Sequence, residues 1–161
     1  MDIRRATAAD HDAVWEIFRS VIAAGDTYVF DPALPREDAL AYWFAVGTHP
    51  YVAVEDGRVL GTYIFKANQP GLGSHVANAS YMVSAAARGK GVGSALCAHS
   101  LEEAARAGFL AMQFNIVVST NEAAIHLWKK HGFRILGTVP RAYRHRQLGL
   151  VDAHVMFREL A

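Results

Sequence analysis

Ala79-Ser80-Tyr81-Met82-Val83, followed after four residues by Arg88-Gly89-Lys90-Gly91-Val92-Gly93, decides how this chain is read. The first run is apolar and strand-like, and the second leads into a helix-like stretch. Glycine adopts positive φ without a Cβ clash and lets another group approach the backbone closely. The first amides of a helix lack internal partners, and the helix dipole adds partial positive charge there. Such a turn suits a diphosphate. Arg88 and Lys90 place two full charges beside it.

Three readings of the glycine run compete. A P-loop needs G-x-x-x-x-G-K-[ST], but Lys90 lies between glycines and Gly93-Ser94 lacks the lysine. A dinucleotide fold needs G-x-G-x-x-G with an acidic residue about 20 positions on. Here the spacing is G-x-G-x-G, and the next strand-like run ends Val118-Ser119-Thr120 with no acid. A mere turn needs neither alternate glycines nor two cations at a helix start.

Composition bounds the rest. A chain of 161 residues, 52% hydrophobic, has enough apolar content for one core, so a single domain over 1–161 is expected. A net charge of +1 argues against nucleic acid or an anionic membrane as partner. No apolar run reaches the roughly 18 residues of a membrane span, and Met1-Asp2-Ile3-Arg4-Arg5 opens no secretory leader. The single cysteine, Cys97, cannot form an internal disulfide, which suits a reducing cytoplasm. The histidines lack metal-ligand spacing, so no metal is expected.

Working outward, Ile3 to Ala6 reads as a strand, and Thr7 with Asp10 resembles a capping box. Val14, Ile17, Phe18, Val21 and Ile22 mark a helix that Gly25 and Asp26 end. Thr27 to Leu34 is an aromatic-rich loop, and Pro35 opens a second helix carrying Leu40, Trp43 and Phe44. Tyr51–Glu55 and Arg58–Phe65 flank Asp56-Gly57, a strong hairpin signal. Gly71 to Ser74 is a turn, and His75 to Val83 a strand. After the glycine run, Gly93, Cys97, Leu101, Ala104 and Gly108 make a small helix face suited to packing on a sheet; Cys97 there reads as core, not as a nucleophile. Ala111 to Val118 is a strand, and Asn121 to His131 a helix stopped by Gly132. Phe133–Val139 and Ala153–Glu159 end the chain as strands. The order β-α-α-β-β-β-α-β-α-β-β makes a mixed α/β sheet.

Arg88 to Gly93 matches [QR]-x-x-G-x-[GA], the acyl-CoA loop of the GNAT superfamily of N-acetyltransferases. Asn121-Glu122-Ala123-Ala124-Ile125-His126-Leu127-Trp128-Lys129-Lys130-His131-Gly132-Phe133 resembles the family's second signature. The resemblance covers nearly the whole chain. It implies an α/β (α+β) fold with a mostly antiparallel central sheet flanked by helices. Two strands, His75–Val83 and Ala111–Val118, splay apart there into the acyl-CoA cleft.

By the same resemblance the co-substrate is acetyl-CoA. Backbone groups of Arg88, Gly89, Lys90, Gly91, Val92, Gly93 and Ser94 would hold its pyrophosphate. The strand at Tyr81, Met82 and Val83 would pair with the pantetheine amides, and Asn121 would reach the pantetheine arm. Many members carry Tyr where this chain has Trp128. An indole N–H cannot serve as a practical acid, so Trp128 is read as packing beside the cofactor arm and the thiolate's acid stays unassigned.

The runs Gly25-Asp26-Thr27-Tyr28, His75–Tyr81, Gln113-Phe114-Asn115 and Asn121 are similar to the branch that acetylates azetidine-2-carboxylate and other proline analogues. More distantly they resemble the phosphinothricin and methionine-sulfoximine acetyltransferases. Asn78 and Asn115 lie in strand-like segments, where Asn is depleted. A buried amide without partners is costly, so each needs a ligand or a loop backbone to bond. The matching Asn of the proline-analogue branch holds substrate near the thioester; the role carries to Asn78 first and Asn115 second. Asp26, Thr27 and Tyr28 fall on the loop where the family builds its acceptor site. His75 is either a base or an exposed residue that begins its strand, and it joins the acceptor set. Arg141, Arg144, His145 and Arg146 read as a solvated charged loop.

The expected function is direct acetyl transfer to the amine of a small molecule, an amino acid or an analogue of one. The alternatives are a protein or peptide N-terminal acetyltransferase and a non-catalytic acyl-CoA sensor. The family commonly forms homodimers; no segment here requires one.

Overall fold

Asp56 and Gly57 both take positive φ, 49° and 74°. This type I′ geometry matches the twist of a two-residue hairpin. The turn joins β2 (His49–Glu55) to β3 (Arg58–Ala67). The structure is a computed structural model that describes residues 1–160. Its other elements are β1 (Asp2–Arg5), α1 (His11–Ala24), α2 (Arg36–Trp43), β4 (Val76–Val83), α3 (Val92–Arg106), β5 (Ala111–Val118), α4 (Glu122–Lys130), β6 (Arg134–His145) and β7 (Gly149–Glu159). Their order is the one the sequence predicts.

The strands form one seven-stranded sheet in the order β1-β2-β3-β4-β5-β7-β6. Only β4 and β5 run parallel; every other neighbouring pair is antiparallel. Successive side chains of a strand point to opposite faces. Val52, Ile64 and Met82 therefore meet Val14, Phe18 and Trp43 of α1 and α2. Tyr51, Tyr63, Phe65 and Tyr81 meet Leu96, Cys97 and Ala104 of α3 on the other face. The small face of α3 buries Cys97, Leu101 and Ala104 as expected, whereas Gly108 lies beyond the helix end and is exposed.

The last hairpin departs from expectation. The segment from Arg141 to Arg146 is not a free charged loop: most of it belongs to β6, which pairs with β7 as far as His145–Gly149. A register shift between Val139 and Tyr143 lets the ladder resume past Pro140. Arg141 takes φ 53° there, and its amide donates to the Asp152 carboxylate at 2.9 Å. No helix among the described residues is long and apolar enough to cross a membrane.

Candidate active site

The sheet forks between β4 and β5. Their pairing stops after Val76–Ala111 and Ala77–Met112. Continued in register, the next pair would be Asn78 and Gln113. There the Asn78 side chain, not a backbone amide, donates to the Gln113 carbonyl at 3.0 Å. Beyond it a cavity of about 830 Å³ opens.

The main chain of β4 faces this fork at alternate residues. The Ser84 amide donates to Leu60 and the Asn68 amide to Val76, both at 2.8 Å, so even-numbered residues bond to β3. Hydrogen-bonding direction alternates along a strand. Ala79, Tyr81 and Val83 thus aim theirs into the fork. The groups of Tyr81 are occupied: the Tyr28 hydroxyl donates to its carbonyl and accepts from its amide. Ala79 and Val83 remain for a ligand. The side chains of Tyr81 and Met82 are buried in the two cores, with the Tyr81 hydroxyl 2.7 Å from Ser100 Oγ. Both residues line the cavity.

The glycine loop follows a short turn at Ala85–Ala87. The Arg88 amide donates to Ala85 and the Lys90 amide to Ala87. Those two amides close the turn. Gly89 and Gly91 take φ 75° and 80°, which a side chain would resist. The first amide bonded into α3 is Ala95, to the Gly91 carbonyl at 3.0 Å. Val92, Gly93 and Ser94 therefore present unpaired amides at the helix start. Arg88 lines the cavity without an acidic partner among the described residues. Lys90 is exposed and does not line it. Ser94 Oγ sits 2.9 Å from His131 Nε2.

The far wall of this end is α4. Asn121 caps it, its Oδ1 accepting from the Ala124 amide at 3.2 Å. Trp128 packs on Tyr81 and Phe114, each ring 4.9 Å away. Asn121 and Trp128 both line the cavity.

At the opposite end Asp26, Thr27 and Tyr28 line the cavity with Phe30 and Tyr42. Tethers hold their loop. The Arg146 amide donates to the Gly25 carbonyl at 3.0 Å, and its guanidinium to the Ala23 carbonyl at 2.6 Å. The Tyr143 hydroxyl donates to the Tyr28 carbonyl at 3.0 Å. Burial pushes the Tyr28 phenol far above its ordinary pKa, so it stays a protonated donor.

Two expectations change here. Asn115 is not a buried amide: it is exposed at the cavity rim, donating to Asn68 Oδ1 at 2.7 Å and accepting from Gln113 Nε2 at 3.1 Å. The β5 irregularity between Phe114 and Val117 carries it outward. His75 is exposed and lies outside the cavity, because it precedes the fork where the two strands are still joined; its carbonyl accepts from the Leu110 amide. Phe30 and Tyr42 were not singled out from sequence, although the aromatic content of 27–34 pointed at the first. Tyr143 carried no signal, standing 115 residues from its partner. Burial pushes the Cys97 thiol up to about 12, which removes it as a nucleophile. No cluster of metal-ligating side chains occurs among the described residues.

Comparison with known proteins agrees with this fold. The model of the acetyltransferase (GNAT) family matches residues 12–133. A GCN5-related N-acetyltransferase from Kribbella flavida shares 48% identity and a TM-score of 0.93, over 98% of this chain and 96% of that one. The protein yncA from Salmonella typhimurium, solved with its cofactor acetyl-CoA, shares 28% identity and a TM-score of 0.89, over 100% and 94% of the two chains. YwnH of Bacillus subtilis, provisionally named a phosphinothricin acetyltransferase, is 33% identical over 146 residues, 87% of this chain and 88% of its own.

Proposed function

The chain belongs to the GNAT acetyltransferase family and is an acetyl-CoA-dependent N-acetyltransferase; from that premise we propose that its acceptor is a small amine, an amino acid or amino-acid analogue. The tethered loop over residues 25–30 carries the reading. Held by Tyr81, Tyr143 and Arg146, it makes a tethered wall of the cavity at the end where a peptide would need an open groove. The provisional name of YwnH points the same way.

Bound acetyl-CoA supplies an activated acetyl thioester. The amides of Val92, Gly93 and Ser94 hold its pyrophosphate, with the Gly89 and Gly91 turns opening the approach and Arg88 beside it. Lys90 adds to the field from outside. Main-chain groups of Ala79 and Val83 pair the pantetheine arm, and Asn121 and Trp128 flank it.

Asn78 spends its Nδ2 on Gln113, and its Oδ1 has no protein partner among the described residues. That oxygen accepts from the acceptor's amine and aims it. Asn115 supports the rim, and Asp26, Thr27 and Tyr28 close the pocket. Holding a neutral amine against the thioester supplies most of the acceleration. The chain works as one domain over 1–161, and its one buried thiol suits a reducing cytoplasm.

Thiol release from acetyl-CoA tests the reading, with free amino acids, proline analogues, glutamine analogues, polyamines and short peptides as acceptors. Release with one class of small amine is expected. Release with peptides alone would overturn it.

A further inference from the structure

The bond between Ser94 and His131 has no part in the scheme above. Ser94 sits in the first turn of α3 and lines the cavity. Its Oγ makes no bond to the helix backbone. Its one side-chain partner among the described residues is His131 Nε2, at 2.9 Å. His131 itself does not line the cavity.

Main-chain contacts fix the imidazole. The α4 helix packs on the start of α3, where a Cβ added at Gly93 would meet Leu127 at 3.4 Å. His131 follows four residues later, on the same side of the helix, and caps the C-terminus of α4. Its amide donates to the Leu127 carbonyl at 3.2 Å, and its carbonyl accepts from the Arg158 guanidinium. The ring thus reaches Ser94 from a held backbone.

A hydroxyl has one proton to give. If Nε2 is bare, that proton goes to the ring, and Oγ shows the cavity only lone pairs. If Nε2 carries hydrogen, it donates to Oγ, and the Ser94 proton is free to turn to the cavity. A diphosphate oxygen only accepts, so it takes the second arrangement. Burial, with the cations Lys130 and Arg158, holds the His131 pKa below its ordinary value. The ring is therefore neutral near neutral pH, and either nitrogen can carry its one proton.

We propose that His131 is a positioning residue for acetyl-CoA: its Nε2–H donates to Ser94 Oγ and aims the Ser94 hydroxyl proton at the diphosphate. The proposal rests on the reading that the start of α3 holds that diphosphate, and it adds a side-chain donor to the amides there. His131 acts only through Ser94.

The test is ligand titration of the whole chain with acetyl-CoA and with S-acetylpantetheine, which lacks the diphosphate. The wild type should bind acetyl-CoA roughly tenfold or more the tighter of the two. His131→Leu should lose about tenfold in acetyl-CoA affinity and keep its affinity for S-acetylpantetheine. His131→Ala, which brings no new contact, should do the same. His131→Gln, whose amide N–H can stand where Nε2–H stands, should keep most of the affinity. Ser94→Ala should lose as much as His131→Leu, and the double variant no more than Ser94→Ala alone. A cooperative urea transition reports that each variant is folded. Unchanged acetyl-CoA affinity in the His131 variants, equal losses on the two ligands, additive losses in the double variant, or no retention by His131→Gln would overturn the role of His131. A wild type that binds the two ligands equally overturns the diphosphate reading with it.

Discussion

The Tyr28 hydroxyl donates to the Tyr81 carbonyl at 2.5 Å and accepts from the Tyr81 amide at 2.8 Å. One side chain thus stands in for the strand that β4 loses at the fork. It ties the loop over residues 25–30 to β4 at the fork.

Tyr28→Phe removes both bonds and leaves two backbone groups without partners. The expected loss is about 1–3 kcal/mol of stability, read as a lower urea midpoint. The loop also loosens, so the KM of the acceptor should rise more than that of acetyl-CoA. An unchanged midpoint would show that the bridge carries no weight.

Asn78→Ala should lower kcat about tenfold or more, ~1.4 kcal/mol in the barrier. The thermal shift with acetyl-CoA should survive, since Asn78 lies at the far end of the cavity from the glycine loop. Asn115→Ala, at the exposed rim, should do much less. Equal kinetics in the wild type and Asn78→Ala would remove the residue from the mechanism.

Gly91 takes φ 80° at the start of α3, and a Cβ added there meets nothing within 4 Å. The cost of Gly91→Ala is therefore conformational, about 1 kcal/mol or somewhat more. Relief of that strain moves the unpaired amides of Val92 to Ser94. Acetyl-CoA affinity should fall, measured by calorimetry, while the acceptor KM changes little.

Asp10 gives the fold a pH dependence. Two hydrogen bonds from Arg4, both at 2.9 Å, hold its carboxyl down to about 2 against the opposing effect of burial, with the Thr7 amide adding a third at 2.8 Å. The folded value lies below the ordinary 3.8. The stabilisation is thus complete above the unfolded value and disappears as pH falls from 3.8 to about 2. Its size is about 2 kcal/mol. Asp10→Asn should cost about that near neutral pH, and the two urea midpoints should converge by about pH 2. A constant gap across that window would rule the linkage out.

Much of this was legible in the sequence because the signals are local. Asp56-Gly57 specifies its turn through the φ values its two residues tolerate. Asn121 caps α4 through an amide three positions away. The glycine run reads as an anion-binding turn because Gly89 and Gly91 sit where a Cβ is strained. The long β6–β7 hairpin was not legible, since Pro140 and the charges around it read locally as loop while the ladder resumes beyond them.

The candidate site divides along the same line. By itself the sequence determined the order of elements, the glycine loop with its helix start, and the presence of a side-chain amide, Asn78, within β4. Tertiary structure alone decided where β4 and β5 part, that Tyr28 fills the gap, that Tyr143 and Arg146 hold its loop, that Asn115 faces out and that His131 meets Ser94. Backbone preference is set by a residue and its near neighbours. A cavity forms where distant segments stop pairing, and only their packing says where that is.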